Sequence, residues 1–83
     1  MRKNDVVSMG ERHSDHLRIV IRAFQELDVT ITHRSQIIKK WREIREREGL
    51  RPIHDNWVDY VFHAYPEFFR SVRKGSGEWE YLG

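Results

Sequence analysis

Residues 54–82, HDNWVDYVFHAYPEFFRSVRKGSGEWEYL, change from helical to extended spacing in the middle of the stretch. Between Trp57 and Tyr65 the apolar side chains recur every three or four residues, which lines one face of a helix. Pro66 ends that pattern because it lacks an N–H and disfavours helical geometry at the residue before it. From Phe68 the side chains alternate with the period of two that a strand requires. The stretch therefore predicts a helix followed by a β-hairpin.

The sequence Lys74-Gly75-Ser76-Gly77 predicts the turn of that hairpin, with the reversal at Gly75 to Gly77. Two glycines supply residues that adopt positive φ, which a tight reversal between antiparallel strands requires. Trp79 and Tyr81 follow at strand spacing and are expected to cover one face of the pair. A lone two-stranded hairpin is marginal in water, so we expect this one to pack against helices.

The composition is that of one small globular domain. The chain has 83 residues, of which 39% are apolar and 12% aromatic, and a net charge of only +2. No apolar run approaches the roughly 18 residues that span a bilayer, and no leader precedes the first helix. We therefore expect no membrane association, and a soluble protein of the cytoplasm or the nucleoid. The absence of cysteine excludes disulfides and thiolate metal sites.

The first half of the chain predicts two more helices and one short strand. Residues 1–13 read as a flexible N-terminal arm, either a frayed terminus or a basic arm that touches a phosphate backbone. A helix follows, capped by Ser14 or Asp15, and then a strand at residues 29–32, where every side chain is β-branched. Thr32 is expected to cap the second helix, which Gly49 ends.

The third helix is expected to start at a cap formed by Asp55. Three helices closed by a small sheet can bury every apolar stripe in one core. The residues predicted for that core are Leu17, Val20, Ile21, Phe24, Leu27, Ile37, Ile38, Trp41, Ile44, Val58, Val61, Phe62, Phe69, Trp79 and Tyr81.

This order of elements over residues 14–83 resembles the winged-helix variant of the helix-turn-helix family. The resemblance rests on the element order, on the short strand at residues 29–32 and on a hairpin at residues 68–82 in the position of a wing. It implies an α+β domain with a three-helix core, a small antiparallel sheet and a C-terminal β-hairpin wing. Residues 49–55 depart from the pattern, because they are longer than the three- or four-residue turn of simple helix-turn-helix units.

The resemblance implies binding of double-stranded DNA, with the third helix in the major groove and the wing on the backbone or minor groove. The outward residues of that helix are Asn56, Asp59, Tyr60 and His63, with His54 at its start. Asparagine bonds adenine in a bidentate way, whereas histidine and tyrosine reach bases or phosphates. The helix carries no lysine or arginine, and its aspartates repel phosphate, so a solvated face or a protein contact is the other interpretation.

Candidate phosphate contacts lie in the wing and on the second helix. Arg70, Arg73 and Lys74 cluster beside glycines that let backbone amides approach a phosphate. The other interpretation is a charged edge that prevents sheet-to-sheet aggregation, partly neutralised by the glutamates of the partner strand. The second helix and its end add Lys39, Lys40 and Arg51, where alternating charges are also typical of a solvated face.

Neither a cofactor nor a catalytic site is expected. His13 and His16 are spaced like ligands on one helical turn, but no further ligand has metal-site spacing. The sequence contains no phosphate-binding loop, nucleophile elbow or paired-carboxylate motif, so an enzyme is not expected.

Two functions remain as hypotheses. The first is a small winged-helix DNA-binding protein that regulates transcription, or replication and partition. The second is a winged-helix protein–protein interaction module, in which Trp57 and Tyr60 form either the rim of the core or an exposed aromatic contact for a partner or a homodimer.

Overall fold

Residues 13–83 are described by a computed structural model, and they form three helices and one three-stranded antiparallel sheet. The elements in chain order are α1 (His13–Leu27), β1 (Ile31–His33), α2 (Arg34–Arg47), α3 (Asn56–Ala64), β2 (Phe69–Ser71) and β3 (Glu78–Tyr81). The predicted α+β class, the three helices and the C-terminal hairpin are confirmed, and the layout is compatible with a winged helix. The predicted arm lies outside the described residues, apart from His13, which already belongs to α1.

β3 is the central strand of the sheet, with β1 on one side and β2 on the other. Phe69 pairs with Tyr81 and Arg70 with Glu80, so the predicted alternation along the hairpin is confirmed. Phe69 and the aromatic residues of β3 turn towards the helices, whereas Arg70 and Glu80 lie on the outer face. The short first strand is shifted from its predicted position, because residues 31–33, not 29–32, pair with β3.

A cluster of aromatic rings joins α1, α3 and the sheet. The ring of Phe62 on α3 stacks on Trp79 with a centroid distance of 4.6 Å, and it meets Phe69 edge-on at 5.3 Å. Phe24 of α1 lies 5.9 Å from Phe69 and 5.7 Å from Tyr81. Aromatic pairs in these geometries stabilise a core beyond the burial of their area. The cluster therefore fixes how α3 sits against the hairpin.

The buried stripe of α1 is rotated from the predicted one. Ile19 and Ala23 are fully buried although they were not predicted, whereas Leu17, Ile21 and Leu27 are only partly buried. α1 packs against both α2 and α3, so its buried face is the one between the two helices. The other predicted core positions are buried or partly buried within one hydrophobic cluster.

Two polar side chains are buried against aromatic rings. His16 of α1 stacks on Trp57 of α3 with a centroid distance of 4.3 Å. Arg45 of α2 lies over the ring of Trp41 at 5.3 Å and donates to the backbone oxygen of Arg51 at 2.8 Å. Stacking of this kind lets a polar residue occupy a core position.

The predicted N-caps of α1 and α2 are wrong, and histidines make the capping hydrogen bonds of α2 and α3. Ser14 and Asp15 lie inside the first turn of α1, since the helix already includes His13. Thr32 lies in β1, and the cap of α2 is His33, whose Nδ1 accepts from the backbone N–H of Ser35 at 3.1 Å.

Asp55 does occupy the cap position of α3, but its side chain makes no capping hydrogen bond. His54 does so instead, because its Nδ1 accepts from the backbone N–H of Asn56 at 3.1 Å. A histidine ring nitrogen thus accepts from an orphan amide at the start of both α2 and α3. Among the described residues, no helix is long and apolar enough to cross a membrane.

Candidate nucleic-acid interface

A cleft separates α3 from the hairpin turn, residues 72–77. Its α3 wall presents Asp59 and His63, and its hairpin wall presents Arg73 and Lys74. Arg34, the first residue of α2, closes one end. Three cations and one carboxylate line this cleft, so its charge is +2 when His63 is neutral. Three of the residues predicted to bind DNA therefore meet at one place, His63 and the two turn cations Arg73 and Lys74.

The outward face of α3 continues this cleft along the helix. Asn56, Tyr60 and His63 follow each other at intervals of four and three residues, and all three side chains are exposed. The ring of His63 meets Trp79 edge-on at 5.5 Å, which places it next to the hairpin. Together these residues form one exposed row along α3.

The two aspartates of α3 are bound by arginines of α2. Arg34 donates two hydrogen bonds to Asp59, from Nε to Oδ1 at 2.9 Å and from Nη2 to Oδ2 at 2.6 Å. Nη2 of Arg42 donates to Oδ2 of Asp55 at 3.0 Å. Each aspartate that the sequence predicts to repel phosphate thus carries an arginine within hydrogen-bond distance, which offsets its charge.

The bridge to Asp59 favours the charged form of Arg34. The hydrogen bond to Asp59 raises the pKa of Arg34 above its ordinary value, against the opposing effect of partial burial. Bidentate binding fixes the guanidinium plane, so Arg34 holds a set position at the end of the cleft.

Arg73 and Lys74 have no ion pair among residues 13–83. Both are exposed, and the turn that carries them is held by Ser76, whose Oγ donates to the backbone oxygen of Arg73 at 2.7 Å. Their charges are thus available to an external anion.

The turn is anchored to the start of α2 at Gly77. Its φ of +76° is the left-handed conformation that favours glycine, and its backbone oxygen accepts from the N–H of Arg34 at 2.8 Å. A Cβ at this position would lie 2.6 Å from Nε2 of His33. The cap of α2 and the hairpin turn therefore pack directly on each other.

Arg70 does not lie in the cleft. It sits on the outer face of the sheet and forms an ion pair with Glu80 across β2 and β3. The cross-strand neutralisation that the sequence allowed is therefore present for Arg70.

Lys39 and Lys40 are also separate from the cleft. The flank of α2 that faces α3 carries Arg34 and Arg42. The opposite flank carries Arg47, which pairs with Glu26 of α1. Lys40 lies two turns before Arg47 and so shares that opposite flank. It is paired with Glu43 at 2.9 Å, and Lys39 is exposed one residue away.

The remaining predicted residues lie at the start of α3. His54 is exposed and caps the helix, and Arg51 is exposed in the connection at residues 48–55. Neither lines the cleft between α3 and the hairpin turn.

Arg34 is the site residue that sequence reasoning missed. The sequence pattern assigned no role to Arg34, because its partner Asp59 is 25 positions away in the chain. A pattern does exist: two arginines eight positions apart share one flank of α2, and two aspartates four positions apart share one side of α3. Matching these pairs would have predicted both bridges.

Within the described residues, no group of three or more His, Asp or Glu side chains is arranged to hold a metal ion. The chain was also compared with protein-family models, with curated proteins and with solved structures, and none of them matched.

Proposed function

We propose that this chain is a small winged-helix protein that binds double-stranded DNA, with α3 in the major groove and the hairpin turn on the phosphate backbone. The observation that carries the proposal is the cleft between α3 and the turn, where Arg73 and Lys74 face His63. A protein that recognises duplex DNA through a helix in the major groove also contacts the phosphates beside that groove, because base edges and backbone lie next to each other.

Charge supports this use of α3 although the helix itself has no lysine or arginine. Arg34 and Arg42 offset the negative charges of Asp59 and Asp55. The helix therefore approaches the phosphate backbone of DNA without two unpaired negative charges. Arg73 and Lys74 then supply the net attraction, because neither is paired within residues 13–83.

Base reading is assigned to the outward face of α3. Asn56 offers the donor and acceptor pair that matches adenine, and Tyr60 and His63 follow on the same face. The aromatic cluster below the helix holds this face rigidly, because Phe62 is stacked on Trp79 directly beneath it.

Fluorescence anisotropy with labelled duplexes over a salt series tests the proposal. Each phosphate contact contributes about 0.9 to the slope of log K against log salt, so the double variant Arg73→Ala with Lys74→Ala should flatten the slope by roughly 1.8. The matched control is Lys39→Ala with Lys40→Ala, which removes the same charge from α2 and should flatten it much less.

Two results would contradict the proposal. One is an unchanged slope in the turn variant, since that would show that Arg73 and Lys74 do not contact phosphates. The other is no binding of any duplex at low salt.

A protein-interaction module is the second candidate, and Tyr60 favours it. This side chain is 42% exposed and meets Trp57 edge-on at 5.5 Å, so an aromatic patch lies on the outward face of α3. Exposed aromatic residues are frequent anchors of protein interfaces. A complex formed by this patch would be insensitive to salt, whereas a phosphate-driven complex weakens steeply.

A further inference from the structure

Among the described residues that line the cleft between α3 and the hairpin turn, His63 is the only histidine. Histidine is the side chain that ordinarily changes charge between about pH 5 and 8, whereas carboxylates, lysine and arginine ordinarily keep theirs in that range. The ring of His63 is exposed, and it meets Trp79 edge-on at 5.5 Å on the side of the hairpin. The charge of the cleft near neutral pH is therefore set by His63.

The charged groups around His63 come from three elements. Arg73 and Lys74 lie on the turn, Arg34 lies on α2, and Asp59 precedes His63 by one turn of α3. The carboxylate of Asp59 already accepts two hydrogen bonds from Arg34. Glu78 of β3 points to the opposite face of the sheet from its neighbour Trp79, because side chains alternate along a strand. Among the described residues that line the cleft, no unpaired carboxylate is thus left to accept a proton-bearing ring nitrogen of His63.

We infer that the cleft takes a phosphate group of the duplex between Arg73, Lys74 and a protonated His63, so that binding takes up a proton from solution. This inference rests on the proposed function, and it makes His63 a third phosphate contact that depends on pH. A protonated imidazole donates from both ring nitrogens, and its hydrogen bonds to phosphate oxygens are assisted by charge. His63 also lies in the last turn of α3, where the helix dipole favours a positive charge.

Duplex binding should therefore weaken as the pH rises. A phosphate beside an imidazole favours its charged form, so the complex holds up to one more proton than the free chain. The affinity should fall by at least about tenfold between about pH 5.5 and about pH 8, the range in which histidine loses its charge. The slope of log K against log salt should also be steeper at the lower pH by up to about 0.9, the contribution of one added phosphate contact.

Fluorescence anisotropy of a labelled duplex at these two pH values, each over a salt series, tests the inference with two variants of His63. His63→Gln should bind at both pH values as weakly as the parent chain does at the higher one, because the amide carries no charge. His63→Lys should bind at both values about as tightly as the parent chain does at the lower one, because its charge persists. A purely structural role for the ring would not produce this opposite pair of results.

His33→Asn and His54→Asn are the matched controls, because asparagine preserves a side-chain acceptor at the start of α2 and of α3. Both should keep the pH dependence of the parent chain, and circular dichroism at both pH values checks that every variant is folded. Duplex binding with the same pH dependence in the parent chain and in His63→Gln would overturn the inference and leave the proposed function standing. A pH dependence that disappears in either control variant would also overturn it. No duplex binding at low salt at either pH would refute the proposed function itself, and this inference with it.

Discussion

Replacing Gly77 by alanine should destabilise the protein by about 1.5 to 4 kcal/mol, through two separate effects. The φ of +76° at this position is left-handed, and an L-residue there costs roughly 1–2 kcal/mol. The new Cβ would also lie 2.6 Å from Nε2 of His33, so the imidazole must move away. That movement removes the side-chain cap of α2, which is worth about 0.5–2 kcal/mol.

Gly75 provides a matched control in the same turn. Its φ of +79° imposes the same conformational penalty, but a Cβ there would have no atom within 4 Å. Gly75→Ala should therefore cost only about 1–2 kcal/mol. In a His33→Ala background the clash is absent, so Gly77→Ala should cost no more than Gly75→Ala does.

Equilibrium urea unfolding, followed by tryptophan fluorescence, measures all four variants. The double-mutant cycle between positions 33 and 77 should give a coupling energy of about 0.5–2 kcal/mol, because a Cβ at position 77 displaces the imidazole that caps α2. Equal losses for Gly75→Ala and Gly77→Ala in the wild-type background would refute the packing of the turn against the α2 cap.

Further predictions concern the core, the response to pH and the cleft. Phe62→Ala should cost about 3–5 kcal/mol in the same urea assay, because the ring is fully buried and stacked on Trp79; a loss below about 1 kcal/mol would mean that the aromatic cluster is misplaced. Arg47 and Arg18 hold the pKa of Glu26 and of Glu48 below the ordinary value of 4.5, so the folded chain binds fewer protons than the unfolded chain near that pH. The free energy of unfolding should therefore fall as the pH drops through and below 4.5, and less steeply in Glu26→Gln; parallel curves for the two proteins would contradict this. Asp59→Asn frees Arg34 in the cleft, so it should tighten duplex binding at low salt and steepen the salt slope by up to about 0.9; weaker binding would show that Asp59 itself makes the contact. Asn56→Ala should weaken binding to a preferred duplex, selected from a random pool, by about 1–3 kcal/mol and leave random DNA unaffected; equal losses on both would rule out base reading.

The elements that local chemistry determines were predictable from the sequence. Pro66 and the change of period around it fixed the end of α3 and the start of the hairpin, and the glycines fixed the turn. These features depend on neighbouring residues and hold in any tertiary context. The buried face of α1 was only partly predictable, because it depends on where α2 and α3 pack.

Features that depend on long-range contacts were not predictable by periodicity. His16 and Arg45 count as polar in any pattern, yet stacking on Trp57 and Trp41 gives both of them buried positions. The bridge from Arg34 to Asp59 likewise joins two elements far apart in the chain. Of the predicted site, the part formed by α3 and the adjoining turn came together, whereas Arg70, Lys39 and Lys40 face other directions.

Mapping a duplex onto the protein by NMR tests the central proposal most directly. Uniformly ¹⁵N-labelled protein, titrated with a short duplex at low salt, should show its largest amide shift changes at Tyr60, His63, Arg73 and Lys74, on the two walls of the cleft and the face beside it. Amides of Lys39 and Lys40 on the far flank of α2 should move little. Changes confined to α2 or to the outer sheet face, with the cleft unaffected, would contradict the proposed DNA-binding site.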